Sequence, residues 1–296
     1  MDGRKMKNDA KILPLRCKNC GAELPVMGQY VTFQCPSCRR HWLLGEDGLQ
    51  PLEISRAAAP GDYAHRHNLP EDASVEGAIY IPFWIIPVDT RPFVEGIRRL
   101  MDEIAKSTEK LIKRSADVKR DEKEDLFSIN FDYRRREERV FSTSTILADS
   151  AAESDLPQTS EVNFLLKKFS DTTRLNIFVP AFLSVNPYAY IKVGRLMTVH
   201  QPEFRLVHSN DSMSPILCAL TKSVAMDLTD FIFIATLPER IQRAGKLVEA
   251  IHLETSGEAV LIEFPFTLEG HYLTSLHGGF SVSRKLVSLD WQRETV

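Results

Sequence analysis

The sequence predicts an α+β protein, a small N-terminal cysteine unit followed by a mixed α/β domain with repeated strand-helix units. Three observations predict it. Residues 17–42, CKNCGAELPVMGQYVTFQCPSCRRHW, hold two C-x-x-C pairs with fourteen residues between them. Apolar strands built around a proline recur at 79–85, 177–183 and 262–268. A helical-period pattern follows the first of them, from Pro92 toward Lys113, with Val94, Ile97, Leu100, Met101, Ile104, Leu111 and Ile112 on one stripe. At 296 residues, 43% hydrophobic and 26% charged, the chain is long enough for one large or two ordinary domains.

The cysteine unit comes first. A C-x-x-C turn sets two thiolates on one small bend, and two such turns joined by a short hairpin close a tetrahedral shell of the kind zinc prefers. Gly21 follows the first pair, QYVTF supplies a strand into the second, and Trp42 stands where it can cover the site. Four of only five cysteines are used this way, and nothing marks a secretory context, so a metal site is expected over a disulfide framework. Iron in the same cage and redox use of the thiols are the competing readings. A catalytic zinc is disfavoured, because four cysteines leave no open coordination position.

With these residues in view, the segment resembles the zinc-ribbon (rubredoxin-like knuckle) family over residues 17–45. The resemblance implies that Cys17, Cys20, Cys35 and Cys38 ligate a structural Zn2+ ion. One departure is Arg39, which stands where a glycine commonly follows the second pair. A left-handed backbone there would cost a non-glycine residue energy. The remainder resembles, in its IPFW and VPAF strands, bacterial zinc-ribbon proteins that are uncharacterised, and this implies architecture without an activity.

Domain boundaries follow composition. Residues 1–15 read as a flexible tail, 16–54 as the zinc ribbon, 55–74 (SRAAAPGDYAHRHNLPEDAS) as a linker, and 75–296 as the mixed domain with a charged insertion near 115–160. With a linker between them, ribbon and domain are expected to fold separately. In the proline strands, a period of two puts residues 79, 81, 83 and 85, then 177, 179, 181 and 183, then 262, 264, 266 and 268 on one core face each. The proline falls on the other face, which suggests an edge, a bulge or a lost partner. The first two strands are each followed by a helix, with Asn186 a candidate N-cap for the second. HYLTSL and FSVSRKLVSL read as a hairpin around His277-Gly278-Gly279. DFIFIATL reads as a strand and PERIQRAGKLVEAI as a helix, which with the strand at 260–268 would make a βαβ unit.

The function classes narrow by exclusion. No phosphate loop, dinucleotide fingerprint, H-E-x-x-H or nucleophile elbow occurs. Cys218 lies in an apolar setting that suits a buried, inert thiol, and His200, His208 and Asp211 match no ligand or acid-base spacing. The longest apolar run, residues 78–88, is about half of what a bilayer span of roughly 20 residues needs, so no membrane span and a cytoplasmic location are expected. Residues 1–45 carry a net charge of +5 against −8 for the rest. Four zinc-bound thiolates would themselves bring about −2, so the basic surplus is modest. The reading is a non-enzymatic zinc-binding adaptor or scaffold with a protein partner. The alternatives are a nucleic-acid-associated accessory factor and an enzyme with an unrecognised site in the C-terminal domain; the small-molecule ligand, if any, is unspecified. Arg39, Arg40 and Trp42 are the candidate partner contacts.

Overall fold

Three short antiparallel strands, β1 (Thr32–Gln34), β2 (His41–Gly45) and β3 (Gly48–Leu52), follow the first C-x-x-C turn and form a sheet of their own. The computed structural model describes residues 14–26, 28–53, 55–70, 74–125, 159–171, 173–184, 186–208, 217–242, 248–249 and 251–287. Expectations for the tail, for most of the charged insertion and for Asp211 lie outside the described residues. In the small sheet Phe33 pairs with Trp42, and both turn inward onto Leu24, Leu49, Cys17 and Cys35. The sheet is therefore half wrapped around the thiols.

A second, eight-stranded sheet begins at β4 (Ser55–Ala57) and runs through β5 (Ile79–Asp89), β6 (Arg174–Pro180), β7 (Leu206–His208), β8 (Glu254–Thr255), β9 (Val260–Glu269), β10 (Tyr272–Ser275) and β11 (Ser281–Ser283). Its helices are α1 (Gly61–Arg66), α2 (Arg91–Asp125), α3 (Thr159–Asp171), α4 (Tyr188–His200), α5 (Lys222–Asp227), α6 (Thr229–Thr236) and α7 (Glu239–Gln242). The protein is α+β. Strand β9 is the hub: it pairs antiparallel with β5 and β10 and parallel with β4. The chain divides into two compact units, one of residues 1–86, 176–232 and 259–296, the other of residues 87–175 and 233–258.

In the first unit the register Ile79↔Phe266, Ile81↔Phe264, Phe83↔Ile262 puts the apolar parity of both strands on one face. That face joins Phe178, Val193, Met197 and Leu273 in a single core, with Phe264 edge-on to the rings of Phe83, Phe178 and Phe204. The opposite face of the same strands carries Tyr80, Pro82, Trp84, Leu261, Glu263 and Pro265. Glu263 is buried there in an ion pair with Arg56 of β4, and the Arg56 guanidinium lies 4.5 Å from the centre of the Tyr80 ring. Burial pushes the Glu263 carboxyl up to about 7, and Arg56 opposes that rise. In the second unit Phe93, Phe169 and Phe233 pack edge to face, and α2 lies against α3.

Several expectations are corrected. Residues 55–74, read as linker, contain β4 and α1, with Ala57, Ala58 and Ala59 all buried. Small alanines in a three-residue strand show no amphipathic period, so pattern reading passes over them. DFIFIATL is helix α6, so it supplies no strand for a βαβ unit. An apolar run of eight residues fits a buried helix as well as a strand, and here Ile232 and Phe233 are buried while Phe231 is exposed. The following helix is described only at 239–242 and 248–249. Pro82 and Pro265 sit inside the sheet, β5 lying between β6 and β9. Proline forfeits only its N–H: the carbonyls of Pro82 and Pro265 still accept from Ala181 and Leu276. In β6 it is Phe178 that enters the first unit's core, while Ile177 and Val179 are fully buried on the other face. A strand covered on both sides has no single inward parity.

Strand β6 pairs with β5 alone, and its outer side is closed by side chains from the helix that follows. Phe178 N–H donates to Thr198 Oγ1, Asn176 N–H to Gln201 Oε1, and Gln201 Nε2 donates back to the Asn176 carbonyl. The approach is tight at Gly194, where a Cβ would stand 2.6 Å from Ile232 Cδ1 and 2.8 Å from the Phe178 oxygen. The N-cap of α4 is Pro187 rather than the expected Asn186, which stands one residue earlier with its Oδ1 accepting from Tyr188 N–H.

Residues 217–220 splice the two sheets of the first unit. The Leu44 amide donates to Val31 O (2.7 Å) and the Val31 amide to Cys218 O (2.8 Å), while Cys218 N–H returns a bond to Thr32 Oγ1 (3.0 Å). On the far side Ala219 N–H donates to Ala181 O (2.6 Å), and Ala181 N–H to Pro82 O (2.9 Å) in β5. Trp84 Nε1 adds a bond to Leu220 O at 2.9 Å. One line of hydrogen bonds thus runs from the ribbon into the hub sheet.

Candidate metal centre

The two C-x-x-C turns have the same backbone wiring. Cys17 N–H donates to Ala22 O (2.8 Å) and Gly21 N–H to Cys17 O (2.9 Å); Cys35 N–H donates to Arg40 O (2.9 Å) and Arg39 N–H to Cys35 O (3.0 Å). The wiring requires a left-handed residue four places after the first cysteine of each pair. Gly21 (φ 77°) meets it freely in one turn and Arg39 (φ 61°) meets it against its Cβ in the other. The departure noted at Arg39 is thus real, and the turn keeps its geometry despite it.

The two turns bring Cys17, Cys20, Cys35 and Cys38 together, with all four Sγ atoms within 4.8 Å of one another. Cys17 and Cys38 are 3.6 Å apart, Cys20 and Cys35 3.4 Å. Four sulfurs on a tetrahedron with metal–sulfur bonds of about 2.3 Å would be about 3.8 Å apart, so the donor set fits such an ion. Backbone amides supply the outer support. Burial raises the Cys17 thiol, but the Cys20 and Asn19 amides and its neighbouring thiols bring it down to about 6. The Arg40 amide lowers Cys38. Cys20 receives the Ala22 amide yet is pushed up to about 12, by Cys35, by burial and by the other two thiols. Crowded thiols cannot all ionise alone, whereas a divalent cation would hold all four as thiolates.

Around this centre Trp42 is 5% exposed in the ribbon core, and its indole N–H finds no acceptor among the described residues. Its role there is packing, which leaves Arg39 and Arg40 as the exposed pair of the three candidate contacts. Lys18, inside the first turn, is exposed as well. The acidic turn Glu46–Asp47 lies at the other end of β2.

The other sequence candidates that the structure describes are placed apart from this centre, while Asp211 lies outside the described residues. His200 stacks on Phe280 at the end of α4, and His208 closes β7. His67 stacks on Tyr63. His277 Nε2 meets the Ala58 carbonyl at 2.7 Å, and its burial lowers its basicity, so the His277-Gly278-Gly279 stretch is a packed turn of the expected hairpin. Cys218 is fully buried and its thiol is pushed up to about 12 by that burial. No helix is long and apolar enough to cross a membrane among the described residues. The sequence missed the Arg56–Glu263 pair, because neither flanking sequence signals that a three-residue strand would insert beside β9. The class this architecture defines is an α+β protein with a cluster of four cysteines that could hold a metal ion. Comparisons with protein-family models, with curated proteins and with solved structures return no match.

Proposed function

We propose that Cys17, Cys20, Cys35 and Cys38 bind one structural zinc ion and that the chain is a non-enzymatic adaptor, its ribbon presenting a docking surface to a protein partner. The observation that carries this reading is the closed shell: four sulfurs converge on one point and leave no coordination position for water or substrate. Metal analysis of protein purified without added metal is expected to find close to one zinc per chain. Near-zero metal with four freely titratable ribbon thiols would sink the assignment.

The adaptor half is tested by affinity purification with the full chain and with Arg39→Ala/Arg40→Ala, which alters the exposed end of the ribbon and leaves its core intact. A protein retained by the parent and lost by the variant is the expected outcome; identical protein recovery from both counts against docking through this end. A nucleic-acid role is favoured by one feature, the exposed arginines beside Cys38. It predicts binding whose salt slope falls by roughly 1 for each arginine removed. Trp42 is left unchanged in that test, since its burial makes it part of the fold.

A further inference from the structure

The hydrogen-bond line through residues 217–220 gives the metal centre a reach beyond its own ribbon. We infer that metal occupancy governs the Leu217–Leu220 segment, so that emptying the centre opens this segment and uncovers Cys218 and Trp84. The inference rests on the metal reading above and extends it from a fold-holding ion to a metal-responsive conformational device.

Every link is short and local. The second C-x-x-C turn begins directly after β1 (Thr32–Gln34), so Cys35 is continuous with that strand, and its N–H donates to Arg40 O just before β2. Val31 and Thr32, at the head of β1, are the residues that hold Cys218. Both chemistries of the link are present: a backbone N–H to the Cys218 carbonyl, and a side-chain hydroxyl to the Cys218 amide. The segment is irregular backbone with Leu217 and Cys218 buried. Among the described residues no helix or strand covers 217–220, and its other hydrogen bonds are those to Ala181 and Trp84 plus the turn bond from Cys218 Sγ to Leu220 O at 3.1 Å. Short irregular segments can open as local units while the sheet beside them stays folded. Freed from the ribbon, it loses its two Val31/Thr32 bonds together.

The hub sheet has no comparable dependence. Among the described residues its core is seventeen buried residues, from β4, β5, β6, α4, β9, β10 and β11 together with Phe182, Phe280 and Val287, none of them in the ribbon. Removing the ion therefore separates two outcomes: release of the splice, or loss of the whole unit. Cys218 reports which one occurs, because it is the only cysteine outside the centre and is fully buried while the splice is closed.

The test uses the full chain, with peptide-mapped alkylation by N-ethylmaleimide and hydrogen–deuterium exchange before and after a zinc chelator. The expected result is at least tenfold faster labelling of Cys218 after chelation and faster exchange at 217–221, with β9 still protected. Opening confined to residues 14–53, with Cys218 still slow, overturns the inference; so does equal opening of β9, which would make the ion a prop for the entire unit. A second arm does not depend on metal. Thr32→Val removes the hydroxyl that receives the Cys218 amide, and is expected to speed Cys218 labelling several-fold while the ribbon thiols retain their metal content. Unchanged labelling in Thr32→Val overturns the link even if the centre binds zinc. Faster labelling supports it even if the resident ion proves not to be zinc.

Discussion

The ribbon and the hub sheet lie in one chain and are held by different physics. Among the described residues the ribbon core has six buried residues, two of them cysteines of the cluster, whereas the sheet core has seventeen, rich in Phe and Ile. A unit of about 40 residues cannot bury enough apolar surface to fold alone without a metal or disulfides, while a larger one can. The difference teaches where each region is fragile: the ribbon through its four cysteines, the sheet through its volume. The splice at 217–220 is where hydrogen bonds join the two.

The contrast breaks most sharply at Cys35. Cys35→Ser is expected to abolish metal binding and with it a folding contribution on the order of 10 kcal/mol in the ribbon, read as loss of metal in the purified protein and loss of exchange protection at 32–52. If the ribbon stays protected, its six-residue core is sufficient and the comparison fails. Next is Phe264→Ala, which empties the centre of an aromatic cluster and should cost about 3–5 kcal/mol in urea unfolding while metal content stays at the parent level. Metal loss in that variant would mean the sheet holds the ribbon, reversing the proposed direction.

Gly194→Ala sharpens the packing side. The added methyl meets a backbone oxygen as well as Ile232, so a loss of about 1–3 kcal/mol is expected, read as a lower Tm. The Arg56–Glu263 pair offers a pH test. Its folded carboxyl titrates near 7, above the ordinary carboxylate value, so the folded state binds more protons than the unfolded one through that window. The contribution of Glu263 is thus full below the unfolded value and is lost as pH rises toward 7; Glu263→Gln should remove this downward slope. An unchanged slope in the variant would assign it to other groups. Smallest is Arg39→Gly, which relieves the left-handed strain at φ 61° and should stabilise the metal-loaded protein by up to about 1 kcal/mol.

What was legible in the sequence follows the same division. The four cysteines and the strained position at Arg39 could be read directly, because a metal turn constrains residue type at fixed spacing. The core parity of Ile79, Ile81, Phe83 and Ile85 could be read too, since β5 and β9 each turn one apolar face into one core. Alternation gave out in β6, which is buried on both faces, and in α6, whose apolar run suits two structures. The burial of Arg56 and of Ala57–Ala59 had no local signal, because it comes from partners more than 200 residues away, such as Glu263. The splice was invisible for the same reason: its residues, LCAL, are written as an ordinary apolar stretch, and the bonds from Val31 and Thr32 make them a joint.

The side-chain closure of β6 has a consequence for concentrated protein. A foreign strand seeking to extend the sheet at that margin would have to evict Thr198 from Phe178 and Gln201 from Asn176 before it found a backbone group to pair with. Helix α4 and the residue after it act as a built-in stopper, and sheet-by-sheet polymerisation through this margin is blocked by the molecule's own side chains.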